Sequence, residues 1–150
     1  MTVRVSGRRG LPPLDRRQLR RRAERMLRSL GLADAELSVG LVDDGEIAEF
    51  NARYRQVAGP TDVLSFSLLE GKHAVRRGAL LGDVIVSLET AERQARRGRR
   101  SLDEEVLRLL IHGTLHLVGH DHAEADEARR MRSEERRLWR ELRGRVAAPR

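Results

Sequence analysis

Residues 80–88 read LLGDVIVSL, a nearly continuous apolar run of the kind that suits a strand buried on both faces. The period then changes: Leu88, Ala91 and Ala95 recur at helical spacing before the basic run of residues 96–100. Upstream, residues 61–68 read TDVLSFSL and alternate apolar with polar, the period-two signature of a strand. Residues 70–78 between the two are polar and glycine-flanked, which predicts a loop. Two strands joined this way can pair antiparallel as a hairpin. A buried strand that feeds a helix points to an α/β arrangement.

The same reading extends outward. Gly59-Pro60 breaks the chain, and Asp43 or Asp44 can cap a helix running to about Tyr54, with Ile47 and Phe50 inward. Residues 36–42 read as a strand. Leu19, Ala23, Met26, Leu27 and Leu30 give residues 14–30 a helical apolar face opposite a row of arginines, and Gly31 ends it. Thr2 to Ser6 alternates as a short strand. On the C-terminal side, Ser101 and Glu104 form an S-x-x-E capping box. The helix it opens has a buried stripe of Leu102, Val106, Leu109, Leu110 and Leu117, with His112 and His116 at the edge of the core. A last helix spans about residues 123–142, with Ala128, Met131, Leu138 and Leu142 inward. The predicted order is β-α-β-α-β-β-α-α-α. It describes one α/β (α+β) domain over residues 1–150, a mixed four-stranded sheet packed with about five helices. Residues 1–10 and 144–150 are expected to fray.

Composition narrows the function classes. A chain of 150 residues, 39% hydrophobic and 35% charged, suits one soluble domain with its own core. The opening MTVRVSGRRG has no apolar core of a secretion signal, so a cytoplasmic location is expected, with no membrane partner. The absence of cysteine excludes disulfides, thiolate ligands and a cysteine nucleophile. The net charge is +7 and Lys72 is the sole lysine, so the positive charge is almost all arginine. Arginine's planar fork suits phosphate, which makes nucleic acid a reasonable partner; solvated helix faces are the alternative use of the same residues.

The chemistry concentrates in residues 111–122, IHGTLHLVGHDH. His112 and His116, four apart on a helix, project from one face and can reach a single ion. Gly119 can adopt the left-handed conformation that ends the helix and returns the chain, carrying His122 toward the pair. Three neutral imidazoles leave a fourth position open, as catalytic zinc sites do, and such a site lowers the pKa of a bound water toward neutrality. The spacing matches the metzincin frame H-E-x-x-H-x-x-G-x-x-H, but Gly113 replaces the glutamate base, which argues against a protease. Gly113 is costly in mid-helix. It either clears room for metal or substrate, or marks a close packing contact with a strand. His120, two residues from His122, can compete as a ligand, but the three-histidine frame does not need it, and the expected place for it is lining the site or facing solvent; Asp121 can orient a ligand histidine or cap the last helix. His73 lies in the polar loop.

Two blocks carry a resemblance to a known family. HGTLHLVGHDH, residues 112–122, resembles H-G-x-L-H-L-x-G-Y-D-H, and NARYRQVAGPTDVLSFS, residues 51–67, resembles N-x-x-Y-R-x-x-D-x-P-T-D-V-L-S-F-P. LGDVIVS, residues 81–87, agrees as well, as does Met131 within an acidic helix. Together these motifs are similar to those of the YbeY family of bacterial single-strand-specific metallo-endoribonucleases, which act in ribosomal RNA maturation. The resemblance implies one zinc at His112, His116 and His122, and single-stranded or ribosomal RNA and the ribosome as partners. It also implies a catalytic role for Arg55, whose guanidinium can clamp a phosphodiester and its developing charge. The plainer alternative has Arg55 pairing with a carboxylate at a helix end. The chain departs from the pattern at His120 (tyrosine in the family), Ala58 (aspartate) and Ser67 (proline). Ala58 removes a carboxylate available to position Arg55. A non-catalytic ribosome-assembly factor with a structural metal is the rival reading.

Overall fold

The apolar run of residues 80–88 becomes β4 (Leu80–Ser87), which lies inside the sheet with a partner on each side. The computed structural model describes residues 2–67, 80–120 and 123–144. Around β4 stand β1 (Thr2–Ser6), α1 (Arg16–Ser29), β2 (Glu36–Val42), α2 (Asp44–Phe50), a π-helical turn (Asn51–Arg55) and β3 (Val63–Ser67). After it come α3 (Leu88–Arg97), α4 (Leu102–Leu117) and α5 (Ala125–Leu142). The sheet order is β1-β2-β4-β3. β1, β2 and β4 run parallel, and β3 is antiparallel to β4, with Val63 opposite Val86 and Ser67 opposite Gly82. The hairpin and the element order are those the sequence predicts. Thr2–Ser6, within the stretch expected to fray, pairs with β2 along its whole length.

Both faces of the sheet are covered, which is why β4 can be apolar along most of its length. Leu81, Val84 and Val86 face a large core shared with α1, α3, α4 and α5. Ile85 faces a smaller cluster with Ile47 of α2 and Leu64 of β3, against which Phe50 and Phe66 pack. α4 is buried on more sides than a single stripe allows: Leu107, Ile111 and Leu115 are inside along with the predicted Val106, Leu109, Leu110 and Leu117. The reason is its position, packed by α1, α3, α5 and the sheet together. Leu102 and Ala128 are only partly buried. Among the described residues no helix is long and apolar enough to cross a membrane.

One element differs from the sequence expectation. The helix capped by Asp43, whose side chain accepts from Glu46 N–H, ends at Phe50 rather than continuing to Tyr54. Residues 51–55 widen into a π turn, with Gln56 in the left-handed region at φ 58°. The side chain of Asn51 is the physical cause. It is buried and donates to the Gly59 carbonyl at 3.0 Å, drawing the following loop back over the helix end. Wide turns of this kind recur at functional sites.

Candidate active site

α4 carries the histidines, and its register is fixed at both ends. At its start Ser101 Oγ accepts from Glu104 N–H and Glu104 Oε1 accepts from Ser101 N–H, both at 3.1 Å, so the expected capping box forms. At its end Gly119 takes φ 97°, its N–H reaches His116 O, and His120 N–H reaches Leu115 O at 2.9 Å. That is the Schellman pattern, which satisfies carbonyls the helix would otherwise leave open. A Cβ on Gly119 would meet nothing within 4 Å, so conformation alone selects glycine there.

Gly113 is glycine for the opposite reason. It is helical, but a Cβ at this position would lie 2.8 Å from Val84 Cγ1 and 2.9 Å from Ser65 Oγ. Of the two explanations the sequence left open, packing against the neighbouring strands is the one observed. Ser65 Oγ donates to the Gly113 carbonyl at 2.8 Å. The turn of helix between His112 and His116 is thereby pinned directly onto β3 and β4.

With α4 held so close, both imidazoles emerge beside the outer edge of β3. Their Nε2 atoms are 3.2 Å apart and their ring centroids 4.7 Å apart, nearly edge to face. Two nitrogens sharing one tetrahedral ion at about 2.0–2.1 Å would stand about 3.3–3.4 Å apart, so this spacing fits adjacent corners of such a site. His122 and Asp121 lie outside the described residues, and among the described residues no three histidine, cysteine or acidic side chains group to hold a metal. His120 is half-buried and anchored through its backbone.

Glu135 of α5 stands 3.6 Å from His112 Nδ1, on the side of the ring away from His116. The distance is long for a hydrogen bond. The interaction with His112 nonetheless holds the Glu135 carboxyl below its usual pKa, against partial burial that opposes ionisation. A carboxylate on the far nitrogen fixes tautomer and orientation in the way metal-bound imidazoles commonly need.

Arg55 closes the π turn and lines the same cleft of about 600 Å³ as His112, His116 and the residues of β3. Its Nη1 lies 3.4 Å from Asn51 Oδ1, and among the described residues no carboxylate pairs with it. Asn51 supplies positioning that the missing carboxylate at Ala58 cannot. Asp62 sets the near end of β3: it accepts from Val63 N–H at 2.8 Å and from Gln94 Nε2 of α3 at 3.2 Å. Tyr54 is exposed next to Arg55 and meets Phe66 edge-on, with ring centroids 5.4 Å apart.

The sequence profile described as Endoribonuclease YbeY matches residues 12–143, spanning every element from α1 to α5. The chain belongs to the YbeY endoribonuclease family. An endoribonuclease YbeY from Anaeromyxobacter sp. (strain Fw109-5) is 46% identical over 140 residues, which is 93% of this chain and 71% of the relative. One from Geobacter metallireducens is 40% identical over 141 residues, covering 93% and 94%. The solution structure of TM1509 from Thermotoga maritima superposes with a TM-score of 0.65 at 28% identity, covering 93% of this chain and 88% of that one. The activity is accordingly that of an RNA phosphodiester hydrolase.

Seen as a YbeY site, the cleft contains residues that motif reading passed over. Glu135 had a signal: it falls one turn after Met131 and three residues before Leu138, so it is a carboxylate on the buried face of α5. Ser65 and Asp62 had none beyond lying in the second motif, because their roles come from contacts with α4 and α3 made across the fold.

Proposed function

We propose that this YbeY endoribonuclease is zinc-dependent, cuts single-stranded RNA, and works on ribosomal RNA, maturing the 3′ end of 16S rRNA and serving ribosome quality control in the cytoplasm. One observation carries the reading: two imidazole nitrogens 3.2 Å apart open onto the cleft that Arg55 lines. His112, His116 and His122 would hold one ion, and three imidazoles with an open fourth position suit zinc. Bound there, zinc supplies a Lewis acid and a water made nucleophilic near neutral pH.

The chain's own residues do the rest. Arg55 pairs with the scissile phosphate and with the charge that builds on it, and Asn51 holds the guanidinium toward the cleft. Glu135 orients His112. Tyr54, backed by Phe50 and Phe66, offers a face on which an unstacked base can rest, which favours single strands over duplex. The test measures metal content and cleavage of single-stranded RNA together, in wild type and His116→Ala. Bound metal with cleavage in wild type, and loss of both in the variant, is the expected result. A metal-loaded wild type that binds RNA and never cuts it would make the protein an assembly factor with a structural ion.

A further inference from the structure

The cleft does not end at the histidines. Asp62 and His112 also line a second hollow of about 530 Å³, and Arg100, Arg108 and Glu135 continue from that into a third of about 460 Å³ between α4 and α5. The three adjoin through these shared wall residues, from Arg55 past His112 to Trp139.

Its far segment is strongly cationic and built. Glu105, 1% exposed, holds Arg100 Nε at 2.8 Å and Arg108 Nη1 at 2.9 Å. A buried carboxylate thus fixes both arginines at the junction of the second and third hollows before any ligand arrives. On the opposite wall Arg132, Arg136 and Trp139 share one face of α5, and Arg143, the residue that caps its C-terminus, continues the same spacing. Arg132 and Arg136 are exposed, and no described residue forms an ion pair with either. The acids of this segment are engaged, Glu104 in the capping box and Glu135 with His112. Trp139 is half-buried with the Arg143 guanidinium 5.9 Å from its ring centroid.

The aromatic residues point the same way. The chain has two phenylalanines, one tyrosine and one tryptophan. Phe50, Tyr54 and Phe66 gather at the Arg55 end, and Trp139 stands in the groove at the other. A positive groove with aromatic faces along it is how proteins hold single-stranded nucleic acid without reading its sequence.

We propose that the α4/α5 groove is a second docking segment of the RNA track, in which a base stacks on Trp139 and neighbouring phosphates pair with Arg132, Arg136 and Arg143. Trp139 lies one turn of α5, about 5.4 Å, beyond Glu135, so the segment takes nucleotides flanking the cut site. The proposal rests on the cleft at His112 being where RNA is cut.

Trp139 is the sole tryptophan, so its fluorescence reports this groove alone. Wild-type protein loaded with metal is titrated with non-cleavable 2′-O-methyl oligonucleotides of about four and about twelve residues, the shorter at the lower end and the longer near the upper end of the usual single-strand site sizes. The longer strand should quench Trp139 and bind more tightly than the shorter. In the double variant Arg132→Ala, Arg136→Ala that preference should shrink about tenfold or more. The slope of log affinity against log salt should flatten by about 1.4, two phosphate contacts at about 0.7 each. An unchanged circular dichroism melt verifies the variant's fold. Full cleavage and binding by wild type without quenching, or an unaltered long-over-short preference in the variant, overturns the proposal and leaves the active site standing. Quenching by poly-glutamate in place of RNA assigns the groove to an acidic protein and overturns it too. If wild type neither binds nor cuts RNA, the reading of the cleft falls and the proposal falls with it.

Discussion

Replacing Gly113 with alanine tests whether the histidine helix is set by its contact with the sheet. In an isolated helix the change would stabilise by about 1 kcal/mol. Here the new methyl would lie 2.8 Å from Val84 Cγ1 and 2.9 Å from Ser65 Oγ. Neither neighbour is a loose end: Val84 is fully buried in a central strand, and Ser65 is held by its bond to the Gly113 carbonyl. Overpacking of this kind costs about 1–3 kcal/mol, and losing the serine hydrogen bond costs about 1 kcal/mol more. The balance after the propensity gain is a net loss of about 1–3 kcal/mol, or a fall in Tm of about 5 °C for a chain of this size. Lifting α4 also moves both histidines off the cleft wall, so metal affinity should fall with stability. Thermal melting and metal titration of Gly113→Ala measure the two effects. Adding Val84→Ala should recover part of the loss, with a coupling above about 0.5 kcal/mol. A Tm equal to or above wild type, with metal affinity unchanged, would refute the argument, since the strands would then yield without cost.

Arg55→Ala should keep fold and metal but lose turnover at saturating RNA by about thirty- to a hundredfold, the equivalent of a charge-assisted contact of about 2–3 kcal/mol; Arg55→Lys should rescue only part. Wild-type kcat with a raised KM would make Arg55 a docking residue. Glu135→Gln should weaken metal binding about 10- to 100-fold with little change in Tm, and an unaltered affinity would remove Glu135 from the site. Asp44 ties α2 to α3. Burial opposes its ionisation, yet bonds from Ser87, Thr90 and Arg93 hold its pKa below the ordinary 3.8. Its contribution is therefore complete above that pH and lost as pH falls through the lowered value. Asp44→Asn should make acid unfolding shallower, and an identical acid limb in the variant would count against this role.

Local signals were legible wherever a single residue's own backbone needs select it. The S-x-x-E box, the glycine that ends α4 and the buried run of β4 each name their structure in a few consecutive letters. His112 and His116 are legible for the same reason, because helical spacing places them together. What sequence left open depends on partners far along the chain. The π turn exists because Asn51 reaches Gly59, and an ordinary helix through Tyr54 satisfies the same letters. Gly113 had two explanations until Val84 and Ser65 were seen against it. Glu135 and the α4/α5 groove are products of helix packing, which hydrophobic period predicts only as an inward face.

β3 has a single strand partner among the described residues, β4, and its other edge forms the wall of the active cleft. Proteins usually guard such an edge with a covering element, a proline or an inward charge. Any of those would obstruct the path of the substrate. A net charge of +7 contributes a long-range repulsion that keeps copies of the molecule apart without occupying the cleft. That protection fades as salt shortens the reach of charge. Concentrated protein should therefore self-associate first in high salt and without RNA, and an oligonucleotide lying along β3 should act as a chaperone for its own enzyme.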